Sequence, residues 1–252
     1  MIGTNYINSP MSYSQRILQQ GNRLTRLAHR SRFDTVLNAI SSAQYTQALD
    51  YGCGDGFLLK IAYEQNLVQA GLGVDIDPQM ISTCEDLFAA LPSFQFYQPH
   101  EIPEKISPNS CDLILCTETL EHVGEPESIM EQMLTYSKPG AQMVISVPLE
   151  IGPSLLFKQV GRYFANRKGG YGYERYRLSE LLAASIFWDT NSFPSSHSLN
   201  APTRGHKGFD YRKIDKLLQQ KVRIERRILS PFPWLGHLLN STIIWICRVY
   251  SQ

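Results

Sequence analysis

Between Thr46 and Pro148 the chain alternates short apolar runs with segments of helical length, and this alternation constrains the fold more than any other feature. "TQALDYG" reads as a short apolar strand ending in glycine, and "FLLKIAYEQN" after it has helical spacing. "AGLGVDID" follows as a strand. "PQMISTCEDLFAAL" is then a helix with proline in its first turn, where a missing N–H costs nothing. The series continues with "FQFYQ" and "CDLILCTET" as strands, "EPESIMEQMLTYS" as a helix opened by Pro126, and "AQMVISVP" as a strand. Apolar strands separated by helices need cover on both faces, so the expected fold is a doubly wound, mostly parallel sheet.

The flanks differ. Residues 13 to 42 read as helical, with Ile17, Leu24, Leu27, Val36, Leu37 and Ile40 on an apolar stripe. After Pro148 the pattern breaks, and residues 150 to 206 are rich in Gly, Tyr, Arg and Ser, with a helical patch at "LSELLAASIF". "GFDYRKIDKLLQQ" then reads as a helix. "KVRIERRIL" and "STIIWICRVY" read as strands joined by the turn-rich "SPFPWLGHLLN", which suggests a closing antiparallel pair. The expected division is a helical cap over 1–45 and a ligand-binding half over 46–148. An inserted lid over 149–206 and a closing helix and strand pair over 207–252 complete it. With 252 residues, 43% of them hydrophobic, the chain can bury one sizeable core.

Charge is distributed unevenly behind a net +1. Residues 46–150 hold 3 Lys/Arg against 16 Asp/Glu, a net −13, whereas residues 151–252 hold 16 against 6, a net +10. An acidic middle beside a basic end suits a cofactor of positive character and an acceptor of negative character, or simple attraction between the two parts. The five cysteines, Cys53, Cys84, Cys111, Cys116 and Cys247, form no CxxC pair and sit in apolar runs, so they read as buried thiols. No metal-ligand set is evident. The opening "MIGTNYINSPMSYSQR" lacks the charged-then-apolar order of an export signal, and Pro231, Pro233, His237 and Asn240 interrupt the most apolar late stretch. The expectation is a soluble cytoplasmic protein with no transmembrane segment. The "FPWL" turn is a site for peripheral membrane contact or for a buried loop.

In a doubly wound sheet, ligands sit beyond the carboxyl ends of the strands. "DYGCGDG" occupies that place after the first strand, and Gly52 and Gly54 let the backbone approach a ligand without an intervening Cβ. Asp75 ends the next strand at the distance expected of a ribose-binding acid. Phe57 stands where a dinucleotide fingerprint has its third glycine, and no Gly-Lys-Ser/Thr ending of a phosphate loop is present. Asp50 and Asp55 would repel a pyrophosphate and suit a cationic, phosphate-free ligand.

Together, "LDYGCGDG", "GVDIDPQM", "CDLILCTETLEHV" and "KPGAQMVISVP" resemble class I S-adenosylmethionine-dependent methyltransferases, in the broad group that includes ubiquinone-biosynthesis methyltransferases. The resemblance runs from about residue 46 to 148 and weakens in the last third. It implies a Rossmann-like seven-stranded sheet with the last strand antiparallel, over a methyltransferase domain of residues 46–252. It also implies that Gly52, Cys53 and Gly54 pass under the methionine part of S-adenosylmethionine, with Asp50 at the start of that loop. Asp75 would bind the ribose hydroxyls, Ile76 would lie on the adenine, and Thr117 and Glu118 would border the methyl donor. After the third strand the chain reads "YQPHEIP", with His100 where the family often has an acid.

Methyl transfer is an in-line displacement that needs alignment and exclusion of water, and a hydroxyl acceptor profits from a base. His122, His206 and Glu118 are the candidates. The stretch "KQVGRYFANRKGGYGYERYR" mixes arginines with aromatics, so Tyr173, Arg175 and Arg177, with His206, are candidates for holding an anionic acceptor. Its bland counterpart is a solvated basic loop. The expected reaction is methylation of an oxygen, in second place a nitrogen or carbon, of a small-molecule or lipid-linked or glycan acceptor. The alternatives are a nucleic-acid methyltransferase, disfavoured because "TETLEHV" stands where an Asn-Pro-Pro-Tyr-type motif would be, and a catalytically silent cofactor-binding module.

Overall fold

The computed structural model describes residues 13–20, 23–167, 176–194 and 205–250. Its strands are β1 (Ala48–Tyr51), β2 (Gly71–Val74), β3 (Phe94–Tyr97), β4 (Cys111–Thr117), β5 (Ser137–Pro148), β6 (Arg223–Ser230) and β7 (Thr242–Arg248). They form one sheet in the order β3-β2-β1-β4-β5-β7-β6. Strand β1 runs parallel to β2 and β4, β2 to β3, and β4 to β5, while β7 is antiparallel to both β5 and β6. This is the Rossmann-like arrangement with a reversed last strand that the sequence led us to expect.

The helices are α1 (Tyr13–Gln20), α2 (Arg23–Ile40), α3 (Phe57–Glu64), α4 (Pro78–Leu87), α5 (Ile102–Lys105), α6 (Pro126–Tyr136), α7 (Ser154–Arg167), α8 (Leu178–Ser185) and α9 (Tyr211–Lys221). Strand β4 shows why two helical layers are needed. Its alternate residues Ile114 and Cys116 belong to a core with Met130 and Met133 of α6 and Ile214 and Leu218 of α9. Leu113 and Leu115 point the other way, into a core with Val36, Leu37 and Ile40 of α2 and Leu58 and Leu59 of α3. Each such side chain contributes about 1.5–3 kcal/mol when fully buried. Trp245 of β7 is fully buried and donates its indole N–H to Asp215 at 2.7 Å.

Local signals place the helix starts. Asp77 caps α4 by accepting from the Gln79 N–H at 2.9 Å, with Pro78 in the first turn. Asp210 caps α9 in the same way through Arg212 N–H. Three features depart from the sequence reading. The helical stretch at 13–42 is two helices, α1 and α2. Helix α7 occupies a segment read only as part of a Gly- and Arg-rich insertion, because Phe157, Val160 and Tyr163 face away from the core and only Leu155 is fully buried among its large apolar side chains described. The "FPWL" turn is not buried, since Trp234 is 77% exposed. All five cysteines are free and buried. Among the described residues no helix is long and apolar enough to cross a membrane.

Candidate functional site

The carboxyl ends of β1, β2 and β4 open into a cavity of about 670 Å³. From the end of β1, Gly52 turns with φ +80°, and a Cβ there would stand 2.1 Å from Thr119 Oγ1. Only glycine lets the loop after β1 lie against the loop after β4. Gly54, at φ +53°, faces open space, with nothing within 4 Å of the place a Cβ would take. Phe57, in the position of the missing third glycine, begins α3 and packs edge-on against Phe33 of α2 at 5.8 Å.

Asp75 ties the loop after β1 to the end of β2. Its Oδ2 accepts from Gly54 N–H at 2.9 Å and its Oδ1 from Asp77 N–H at 2.9 Å. Each oxygen keeps a second lone pair for a ligand. Ile76, 74% exposed, stands at the rim with Pro99; His100 does not line the cavity. Asp50 is 1% exposed, and its Oδ1 has no hydrogen-bond partner among the described residues. Burial first, and then the charges of Asp75 and Asp55, push its carboxyl up to about 7. Asp55 is clamped by Ser14 of α1, which donates its N–H at 2.6 Å and its hydroxyl at 2.8 Å. Tyr13 and Ser14 thereby become part of the wall.

On the opposite side Thr117, Glu118 and His122 line the cavity at the end of β4. Glu118 takes φ +53°, a conformation strained for a residue with a side chain. The Ser146 hydroxyl, at 3.1 Å, and Arg32, at 3.3 Å, hold its carboxylate. Behind it, Glu121 is fully buried, and burial with the Glu118 charge drives its carboxyl well above the usual range. The rings of His122 and His206 meet edge-on at 4.9 Å. Burial lowers His206 to about 4, against the opposing pull of Glu150, so at neutral pH its 3.8 Å approach to Glu150 is not an ion pair. Burial alone would raise Glu150, but Lys158 and Arg162 hold it at about 2.

Asp50, Gly52, Cys53, Gly54, Asp75, Ile76, Thr117, Glu118 and His122 therefore share one cavity. His206 lies behind His122 rather than in the wall, ahead of the start of α9. Arg177 is exposed at the start of α8 and does not line the cavity, while Tyr173 and Arg175 lie outside the described residues. Sequence reasoning missed Arg32, Ser14, Glu121 and Glu150, whose roles come from contacts between distant segments. It also found no metal ligands, whereas the fold brings ligand atoms of Glu121, His122 and His206 within 4.8 Å of one another. One carboxylate and two imidazoles form a donor set suited to a borderline divalent cation.

The wall carries Asp50, Asp55, Asp75, Glu118 and Glu125 against Arg32. Such a lining disfavours a pyrophosphate and favours a cation. A family profile described as a methyltransferase domain matches residues 21–190, about two thirds of the chain. The chain belongs to that methyltransferase family. A ubiquinone biosynthesis O-methyltransferase of Klebsiella pneumoniae (strain 342) is 26% identical over 141 residues, covering 54% of this chain and 58% of that protein. The same-named protein of Photorhabdus laumondii is 27% identical over 155 residues, covering 60% and 65%. The matched stretch thus spans little more than half the length of these curated relatives. Among solved structures, the N-methyltransferase NodS of Bradyrhizobium japonicum with S-adenosyl-L-homocysteine superimposes with a TM-score of 0.56 at 13% identity, covering 94% and 96% of the two chains. An S-adenosylmethionine-dependent methyltransferase of Aquifex aeolicus gives 0.54 at 13% identity, covering 86% and 89%. These likenesses establish the fold of the methyltransferase domain.

Proposed function

We propose that this chain transfers a methyl group from S-adenosylmethionine to an oxygen of a small-molecule acceptor, free or lipid-linked. The observation that carries the reading is the Asp75 carboxylate, bonded to Gly54 N–H across the ends of β1 and β2 in a crevice lined by acids. The residues present fit the cofactor. Asp75 has lone pairs left for two ribose hydroxyls, Gly54 leaves open space under the donor, and the unpartnered Asp50 oxygen awaits a cation. Ile76 and Pro99 supply apolar surface for the adenine. When bound, S-adenosylmethionine supplies an electrophilic methyl group on a sulfonium.

This chain's own residues align, shield and deprotonate. In this reading His122, which lines the cavity, takes a proton from an acceptor hydroxyl, with neutral His206 packed edge-on behind it as a positioning residue. Glu118, held by Arg32 and Ser146, is placed to accept a hydrogen bond from the acceptor. The clamp of Ser14 on Asp55 holds α1 over the opening and limits the entry of water. A cavity of about 670 Å³ is of small-molecule size, which favours a small acceptor over a nucleic acid. The O-methyltransferase relatives support oxygen as the methylated atom.

The test is a methyl-transfer assay with labelled S-adenosylmethionine against fractionated cell extract, with mass spectrometry on any product. A product that gains one methyl group on oxygen supports the proposal. Binding of NAD in place of S-adenosylmethionine, or cofactor binding without methylation of any fraction, defeats it.

A further inference from the structure

Glu121 is a buried carboxylate that the rest of the fold leaves unanswered. It is 0% exposed, and neither of its oxygens has a hydrogen-bond partner among the described residues. No lysine or arginine among those residues comes within ion-pair distance of it. Arg32 is engaged by Glu118, and Lys158 and Arg162 by Glu150. The basic group that does approach is His122, whose Nε2 stands 3.8 Å from the Glu121 Oε1. Buried polar groups in folded proteins find hydrogen-bond partners, and a buried charge finds a counter-charge. Protonation supplies neither, because a neutral carboxyl still has a donor and acceptors to satisfy.

The same place holds a second unmet group. His206 Nδ1 is buried without a hydrogen-bond partner among the described residues, and its ring meets that of His122 edge-on at 4.9 Å. Ligand atoms of Glu121, His122 and His206 lie within 4.8 Å of one another. Local structure fixes all three. Glu121 and His122 belong to a single helical turn, Leu120–His122, just past the end of β4. His122 N–H closes that turn by donating to the Thr119 carbonyl at 2.9 Å. Ahead of α9, Phe209 N–H donates to the His206 carbonyl at 3.1 Å, and the adjacent Lys207 is tied to Glu180 at 2.7 Å.

The donor types select the occupant. One carboxylate and two imidazoles suit zinc or a similar divalent transition metal, with a further coordination position left open. Ligand atoms about 2.1 Å from a tetrahedral ion stand about 3.4 Å apart, so the cluster has to close by up to about 1.4 Å. The His122 side chain, 44% exposed, has room to turn by that amount. A ligating imidazole usually gives its other ring N–H to a carboxylate, and Glu150 Oε1 stands 3.8 Å from His206 Nδ1. His122 lines the cofactor cavity, with Glu121 and His206 behind it.

We propose that Glu121, His122 and His206 bind one divalent transition-metal ion behind the His122 wall of the cavity. The site goes beyond the methyl-transfer reading and does not rest on it. Where both hold, the ion occupies His122 and replaces it as the agent that acidifies an acceptor hydroxyl, the proton leaving to solvent.

The test reads binding without turnover. The full chain, stripped on a chelating resin, is titrated with Zn2+ and with Ca2+ by calorimetry, and with Co2+ by visible absorption. We expect one Zn2+ per chain, Ca2+ bound at least about a hundredfold more weakly, and a Co2+ spectrum distinct from that of the hydrated ion. Glu121→Gln and, separately, His206→Ala should each weaken Zn2+ binding by about a hundredfold or more while keeping a cooperative thermal transition. Should one variant fail to fold, the other variant and the Co2+ spectrum of the parent carry the test. Absence of saturable Zn2+ binding by the parent overturns the proposal. Undiminished binding by the folded variants does so too, as does Ca2+ bound as tightly as Zn2+. Asp75→Ala should bind Zn2+ with parental affinity, so a failure of the methyl-transfer reading would leave this result standing.

Discussion

Asp75 and Asp50 stand in the same crevice and differ in what surrounds them. Asp75 spends one lone pair of each oxygen on backbone N–H groups and offers the others to a ligand. Replacing it with alanine should weaken S-adenosylmethionine binding by about 1–3 kcal/mol in calorimetry, and equal affinity would remove the ribose role. Asp50 is buried and sits at about 7, so its neutral form is favoured when no cation is near. A cationic ligand needs the carboxylate. Its affinity should therefore fall as pH drops below about 7, by up to about tenfold per pH unit, and Asp50→Asn should flatten that slope. The sign for stability is the opposite. A raised carboxyl pKa gives the ligand-free protein stability that is present below the ordinary value of 3.8 and lost as pH rises through about 7. Ligand-free Asp50→Asn should accordingly melt higher than the parent at pH 8. A parent protein of equal melting point there would count against a strained Asp50.

At the scale of elements, α1 and α7 depend on polar contacts beside a small apolar one, Leu18 of α1 against the core and Leu155 of α7 against Ala184 and Phe193. Helix α1 buries none of its residues, yet Ser14 grips Asp55 with two hydrogen bonds. Ser14→Ala should leave the thermal midpoint within a few degrees and weaken cofactor binding about fivefold, near the worth of one hydrogen bond. A large drop in melting temperature would make α1 structural instead. Helix α7 depends on Glu150, which receives Lys158 and Arg162. Glu150→Gln should cost about 3 kcal/mol in urea denaturation at pH 7, since it leaves two half-buried cations without their charge partner. Because Glu150 is depressed to about 2, its contribution is present above the ordinary value of 4.5 and is lost as pH falls from there towards 2. The variant and the parent should therefore converge as the medium becomes acidic, and a constant gap down to pH 2 would contradict the ion-pair account.

For the whole molecule, the charge asymmetry becomes a division of surfaces. The acidic middle builds the cavity wall, and the basic last third pairs much of its charge locally, as in Arg212 with Asp210 and Arg227 with Asp215. Lys221 reaches across to Glu131 of α6, so some of the attraction between the two parts is real. A ligand that enters the cavity of the folded chain alone should stabilise it by mass action. S-adenosylmethionine at about a hundredfold over its Kd should add about 2.7 kcal/mol and raise Tm visibly. NAD at the same concentration should not. The reverse pattern in a thermal scan would assign the crevice to a dinucleotide.

The amino-acid sequence alone determined the sheet and its ligand end. Strand–helix alternation, Pro78 and Pro126 in first turns, the glycines after β1 and the acid at Asp75 are all signals within a few residues of what they specify. Only the tertiary structure decided the pairing of His122 with His206, the hold of Arg32 on Glu118 and the clamp of Ser14 on Asp55. Each of these joins segments far apart in the chain, and local periodicity carries no record of such distances. Helix α7 was illegible for a related reason. Periodicity is read on the assumption that apolar residues face inward, and Phe157, Val160 and Tyr163 face solvent. Burial, which exists only in the folded chain, turned the same residues from noise into a surface.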